Sequence, residues 1–232
     1  KRFFKLMYKN IYFNSLTESI KKKLLNIGIK KEKKLSIPNG TYINYNLKYK
    51  EFKLVKYCCT GRLINRKKIF NLVKSFYSLN LDNSILDIYG EGPEKKKIIE
   101  FIKKNQIKNI KIRKVFKYED LGNILSNYNV YISNSASEGM SNSILEAISN
   151  NLLVVCRKTE QNIEIIKSNN KFLFENEKKL KNILIMIENL KSNEINEEMK
   201  LQNKFVKRNL NISKIYDLIE SNYLRLTDTT SD

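Results

Sequence analysis

The sequence predicts an α/β protein, a parallel sheet flanked by helices. Three observations predict it. Short apolar runs alternate with amphipathic ones between residues 9 and 190, the rhythm of strands joined by crossover helices in βαβ units. The turns between them carry helix-start chemistry. The chain has 232 residues and 41% hydrophobic content, enough for one good core with an appended piece of a second.

In chain order, Lys9–Phe13 reads as a strand, Ser15–Ile27 as a helix and Lys34–Ile37 as a strand. Strand Lys53–Cys58 leads to helix Lys68–Leu79, and strand Ile85–Tyr89 to helix Pro93–Asn105. Pro93 suits the first helical position, where a missing N–H costs nothing. Strand Asn109–Ile112 precedes helix Tyr118–Asn127, whose Glu119 and Asp120 favour the positive end of the helix dipole. Strand Val130–Ser133 and helix Asn142–Ser149 follow, then strand Leu152–Val155, helix Gln161–Ser168, strand Lys171–Phe174 and helix Glu175–Leu190. Two more helical runs end near Leu226, and 227–232 reads as a disordered tail.

Composition narrows the function. Lys and Arg number 44 against 24 Asp and Glu, a net charge of +20. The cations are spread along the whole chain, as an AT-rich genome would produce, and no zinc-finger, RNP or helix-turn-helix pattern accompanies them, so a nucleic-acid partner is not expected. Attraction to an anionic membrane surface stays open, because positive charge near acidic lipid is drawn to it. No apolar run approaches the ~20 residues of a membrane span. The basic start Lys1-Arg-Phe-Phe-Lys is too broken by charge for a signal peptide. With no histidine and only Cys58, Cys59 and Cys156, no zinc site is expected. Buried thiols in a cytoplasmic protein are the simpler reading.

One stretch concentrates the chemistry. Asn134-Ser-Ala-Ser-Glu-Gly-Met-Ser-Asn-Ser-Ile-Leu-Glu-Ala147 joins an apolar strand to a helix through a Ser/Gly turn. The first helical N–H groups lack intrahelical partners, so backbone near Gly139, Met140 and Ser141 can take phosphates. Glu138 and Glu146, with seven residues between them, can accept hydrogen bonds from sugar hydroxyls. The competing reading is structural: Ser143-x-x-Glu146 and Ser135-x-x-Glu138 both fit capping boxes.

This segment resembles the E-x7-E motif of retaining glycosyltransferases of the GT-B fold, especially glycosyltransferase family 4. Gly61-Arg62-Leu63 followed by Lys67 resembles that family's G-R-L-x-x-x-K segment, with Lys68 where glycine is usual. Leu86-Asp-Ile-Tyr-Gly-Glu-Gly-Pro93 resembles its L-x-I-x-G-x-G-P, and Ile37-Pro38-Asn39-Gly40 its I-P-N-G turn between domains. The motifs stand in family order over roughly residues 10–190.

The resemblance implies a Rossmann-like parallel sheet, the C-terminal half of a GT-B fold with the N-terminal domain mostly absent. It divides the chain into 1–39 (remnant of the N-terminal domain and linker), 40–190 (nucleotide-sugar-binding domain) and 191–226 (C-terminal helices, one of which crosses back onto the first domain). It implies a hexosyl transfer from a nucleotide-diphosphate sugar to a glycan or lipid-linked acceptor, with retention, in surface polysaccharide synthesis. Arg62 and Lys67 would neutralise the departing diphosphate, so no metal and no other cofactor is expected. Glu138 would lie beside the donor sugar and Glu146 on the ribose. Gly61 and Gly90 would line the cleft, Gly90 in structural use first, and the base would sit near Val115–Lys117. In the A-x-G-x-P-V-V region, Asn151 stands for Gly and Leu153 for Pro; Asn tolerates the left-handed conformation. The alternative function is a non-catalytic nucleotide-binding module or pseudoenzyme, favoured by the missing acceptor domain. A cytoplasmic, peripheral location follows from the same resemblance.

Overall fold

The computed structural model describes residues 11–30, 34–45, 51–167 and 170–228. Its body is a six-stranded sheet: β3 (Val55–Thr60), β4 (Ser84–Tyr89), β5 (Ile110–Arg113), β6 (Val130–Ser133), β7 (Leu153–Arg157) and β8 (Leu173–Phe174). The spatial order is β5-β4-β3-β6-β7-β8, and every pairing is parallel. The order runs outward from β3 in one direction and from β6 in the other. Between these two strands the crossovers reverse, leaving an open crevice at their carboxyl ends.

Alternation along the strands builds a core on each face. Tyr57, Cys59, Leu86 and Ile88 pack with helices α2 (Ile69–Tyr77), α3 (Lys95–Lys104) and α7 (Glu177–Glu188). Cys58, Tyr131, Val154 and Cys156 pack on the other face with α4 (Leu121–Leu125), α5 (Asn142–Ser149) and α8 (Ser192–Asn209). The three cysteines are thus core thiols; burial pushes that of Cys59 up to about 12. Where β8 has not yet begun, Gln202 of α8 replaces a strand. Its amide donates to Val154 O (2.9 Å) and accepts from Val154 N (2.7 Å).

Before the sheet, β1 (Phe13–Asn14) and β2 (Lys34–Leu35) pair in parallel across α1 (Glu18–Asn26), a short βαβ piece of its own. It rests on α6 (Glu160–Ile165), where the Glu164 carboxylate accepts from the N–H groups of Glu18 (2.8 Å) and Ser19 (2.9 Å) at the start of α1. The segment after β2 then meets the turn between α8 and the last helix. Thr41 N donates to Leu210 O (2.8 Å), and Ile212 N donates to Thr41 O (3.0 Å), just before α9 (Ile212–Asp228).

The predicted order of elements holds, and β6 and α5 match residue for residue. Other ends shift. Tyr118–Asp120 forms a 3-10 turn before the short α4, so Glu119 and Asp120 do sit at a helical start. Pro93 lies in the turn before α3 and not at its first position. The last helix runs to Asp228, taking 227–228 from the predicted tail; 229–232 lie outside the described residues, as do 1–10 with the basic start and the first two residues of the first predicted strand, whose described part is strand only at Phe13. Among the described residues no helix is long and apolar enough to cross a membrane.

Candidate functional site

Two loops meet at the crevice. The first leaves β3 through Gly61, whose φ of 138° lies in the region that favours glycine. The loop after β4 holds it: Gly61 N donates to Tyr89 O (2.9 Å), Leu63 N to Glu91 O (2.7 Å), and Glu94 N to Leu63 O (2.9 Å). Gly90 makes that contact possible, since a Cβ there would stand 2.0 Å from Gly61 O. The G-x-G-P turn therefore braces the Gly61 loop. Asn65–Lys67 then forms a 3-10 turn, and Lys68 caps α2 in the left-handed region (φ 50°), which accounts for the glycine usual at this place.

The second loop leaves β6 at Asn134, which is buried and held on both sides. It donates to Lys68 O (3.0 Å) and accepts from Arg157 Nε (3.2 Å) and Nη2 (3.0 Å). Ala136 N donates to Arg66 O (3.0 Å), and the Arg66 guanidinium returns a bond to Ser137 O. Lys67 then forms an ion pair with Glu138, with 18% and 16% of the side chains exposed. From the linker, Asn39 donates to Met140 O (3.1 Å) and Asn142 Oδ1 (2.7 Å), and its N–H points at Met140 Sδ (3.3 Å).

Helix α5 begins at Asn142, with Ser141 as its N-cap residue. The Ser141 hydroxyl bonds that of Ser143 (3.1 Å) and makes no cap to the helix. Its first N–H groups thus face the loop without a side-chain cap, the condition for taking an anion. The capping box Ser143-x-x-Glu146 does not form, because Ser143 is already inside the helix. Buried Ile144, Leu145, Ala147 and Ile148 anchor α5, leaving Glu146 on the opposite face. There it lines a hollow of about 490 Å³ with Tyr42, Tyr118, Gly122 and Asn150.

The two carboxylates differ. Burial raises the pKa of Glu138, but the Lys67 ammonium and the Ser135 and Ser141 hydroxyls outweigh it and hold it below the ordinary value. Burial alone lifts Glu146 above its ordinary value, and no hydrogen bond or ion pair from the described residues reaches its carboxylate. Glu138 is a compensated anion, whereas Glu146 is a half-buried acceptor without a donor among the described residues.

The structure brings Gly61, Lys67, Glu138, Met140 and Ser141 together at the crevice. Arg62 is exposed on the same loop, and no described residue pairs with its guanidinium; Gly139 is also exposed, and Gly90 lies behind as a brace. Val115 is exposed, while Phe116 packs edge-on against Tyr89 at 5.1 Å. Sequence reasoning gave no site role to Arg66, Asn39, Asn134, Arg157 or Tyr118, although Asn39 and Asn134 stand in the motifs it quoted. Among the described residues no cluster suits a metal ion.

The profile of the family described as Glycosyl transferases group 1 matches residues 46–210. The chain belongs to this family. A curated relative, the GtfA subunit of a UDP-N-acetylglucosamine--peptide N-acetylglucosaminyltransferase from Streptococcus agalactiae, is 32% identical over 52% of this chain and 24% of its own length. Protein CapJ of Staphylococcus aureus is 27% identical over 82% of this chain and 44% of its own. The chain thus spans less than half the length of these relatives. Among solved structures, S. aureus TarM, crystallised with fondaparinux, alpha-GlcNAc-glycerol and UDP, superposes with a TM-score of 0.80 at 19% identity, over 90% of this chain and 43% of that one. The pneumococcal O-GlcNAc transferase GtfA, crystallised with UDP and GlcNAc, gives 0.75 at 19% identity over 99% and 47%. The fold is that of the C-terminal Rossmann-like domain of GT-B members of the group 1 family.

Proposed function

We propose that this chain forms the donor half of a retaining hexosyltransferase, of glycosyltransferase family 4, that uses a nucleotide-diphosphate sugar. The observation that carries the reading is Lys67 against Glu138 at the uncapped start of α5, in the crevice where the strand order reverses. A diphosphate entering there takes over the Lys67 ammonium, meets Arg62 and accepts from the first N–H groups of α5. Charge on the departing diphosphate is then balanced by this chain's own cations, with no metal required. Glu138, freed from Lys67, faces the donor sugar and supports positive character at the reacting carbon. Glu146 accepts from ribose hydroxyls, which supply a donor that no described residue gives its carboxylate. The base lies beside Val115–Lys117 and Tyr118.

The acceptor, a glycan or lipid-linked glycan of a surface polysaccharide, would bind mainly through a further domain. UDP in the crystals of both TarM and GtfA makes it the first nucleotide to try. A cytoplasmic protein touching an anionic membrane surface fits both such an acceptor and a net charge of +20.

Calorimetric binding of UDP, GDP and ADP at moderate salt, beside Arg62→Ala and Glu146→Ala, tests the reading. Selective binding of one nucleotide, weakened in both variants, is the expected result. Equal weak binding of all three, unchanged in the variants and abolished by salt, would leave only charge attraction and overturn it.

A further inference from the structure

The sheet ends on one side in β5, which among the described residues pairs only with β4. Asn109 O accepts from Leu86 N (2.8 Å), and the alternation of a parallel ladder then turns the N–H and C=O groups of Ile110 and Ile112 outward. Beside this edge runs a groove of about 690 Å³ between β5 and α3. Its floor is apolar: Ile99, Ile102, Ile107, Ile110 and Ile112 line it. Its rim is cationic. Lys95 is matched by Glu91 and Arg113 by Asp87, but the ammonium groups of Lys103, Lys108, Lys111 and Lys114 have no counterion among the described residues.

An open strand edge, a flanking helix and an apolar floor are what an extended peptide needs to join a sheet. Lysines on an edge oppose pairing between like copies, since a second β5 would set cation against cation. The same lysines favour an acidic strand. A lipid or nucleic-acid surface would use the rim but neither the isoleucine floor nor the outward peptide groups. We infer that the β5–α3 groove docks an extended segment of a partner protein in which apolar and acidic residues alternate. Apolar side chains would lie toward α3 over the isoleucines, and acidic ones toward Lys111 on the other face, as a period of two requires. Val115, at the end of this groove, also adjoins the place proposed for the base, so peptide binding is read separately from UDP binding.

The test uses this chain and a fluorescein-labelled peptide of alternating valine and glutamate, about ten residues long. Controls are a scrambled peptide of equal composition, an all-glutamate peptide, a DNA duplex and phosphatidylserine vesicles. The alternating peptide is expected to bind at physiological salt about tenfold more tightly than either peptide control. It should slow amide exchange at Ile110 and Ile112. Lys111→Glu with Lys114→Glu, both exposed and therefore safe for folding, should weaken it by about tenfold or more. Ile112→Pro, checked for folding by its melting curve, should abolish it by removing an outward N–H. Equal binding of the all-glutamate peptide, the duplex or the vesicles, or no response to charge reversal, would overturn the inference. So would dimerisation through β5 without peptide binding.

Discussion

Lys67 and Glu138 pair across 71 residues of chain, joining the turn after β3 to the loop after β6. The pair spans the mouth of the crevice, and both side chains are more than four-fifths covered. A partly desolvated ion pair leaves a costly single charge when one member is removed. On the proposed reading it would also preset the site, because an incoming diphosphate would meet a cation already held in place by an anion it can displace.

Lys67→Ala should weaken UDP binding by about ten- to a hundredfold, the loss of a charge-assisted contact. Glu138→Gln should bind UDP as tightly or more tightly, because Lys67 is released. Calorimetry on the two variants decides: equal losses in both would mark the pair as scaffolding only.

The lowered pKa of Glu138 has a stability consequence. A carboxylate whose folded pKa is depressed contributes stability above its unfolded value, near 4.3, and loses it as pH falls through the folded value. Glu138→Gln should therefore destabilise the protein at pH 7 and flatten its acid unfolding limb below about pH 4.3. Urea melts between pH 3 and pH 7 measure this.

Glu146 carries the opposite sign. Its folded pKa is raised by burial, so its contribution is best at low pH and worsens as pH rises through the folded value. Glu146→Gln should stabilise the protein at pH 7, with the gain vanishing below about pH 4.3, while UDP binding weakens. A variant less stable at pH 7 would mean that Glu146 has a cation partner in solution.

Legibility in the sequence followed the range of the interactions. β6 and α5 were readable to the residue because an apolar run, a Ser/Gly turn and an amphipathic run adjoin one another. The left-handed turn at Asn151 (φ 56°) was readable because it is a property of a single residue. What escaped was tertiary. Gly90 and Gly61 touch through backbones that no local pattern couples, and Asn39 reaches Met140 and Asn142 across 101 and 103 residues. The Ser143/Glu146 spacing fits a capping box, but the helix starts a residue before Ser143, so the glutamate points outward instead. Arg66 was hidden in a run of cations whose individual partners only the fold selects.

Lys68 and Asn151 are both left-handed at places where glycine is usual, yet they should respond differently. Lys68→Gly relieves a side chain in that region and should stabilise by about 0.5–1 kcal/mol after the extra freedom of the unfolded chain is counted. Asn151→Gly also breaks a bond from Asn203 and should give no gain. Thermal melts of the two variants test the difference.

Gly90→Ala and Gly139→Ala form a matched pair for the brace behind the site. A Cβ at Gly90 would stand 2.0 Å from Gly61 O and 3.1 Å from a Leu63 methyl, so the Gly61 loop must move. At Gly139 the nearest atom, a Leu16 methyl, lies at an ordinary 3.5 Å. Gly90→Ala should cost about 2–4 kcal/mol of stability, and at a temperature where it is still folded it should bind UDP at least about tenfold more weakly. Gly139→Ala should fall within about 0.5 kcal/mol of the parent in stability. Normal UDP affinity in folded Gly90→Ala would show that the loop carrying Arg62 and Lys67 tolerates displacement, and that the donor is held mainly from the α5 side.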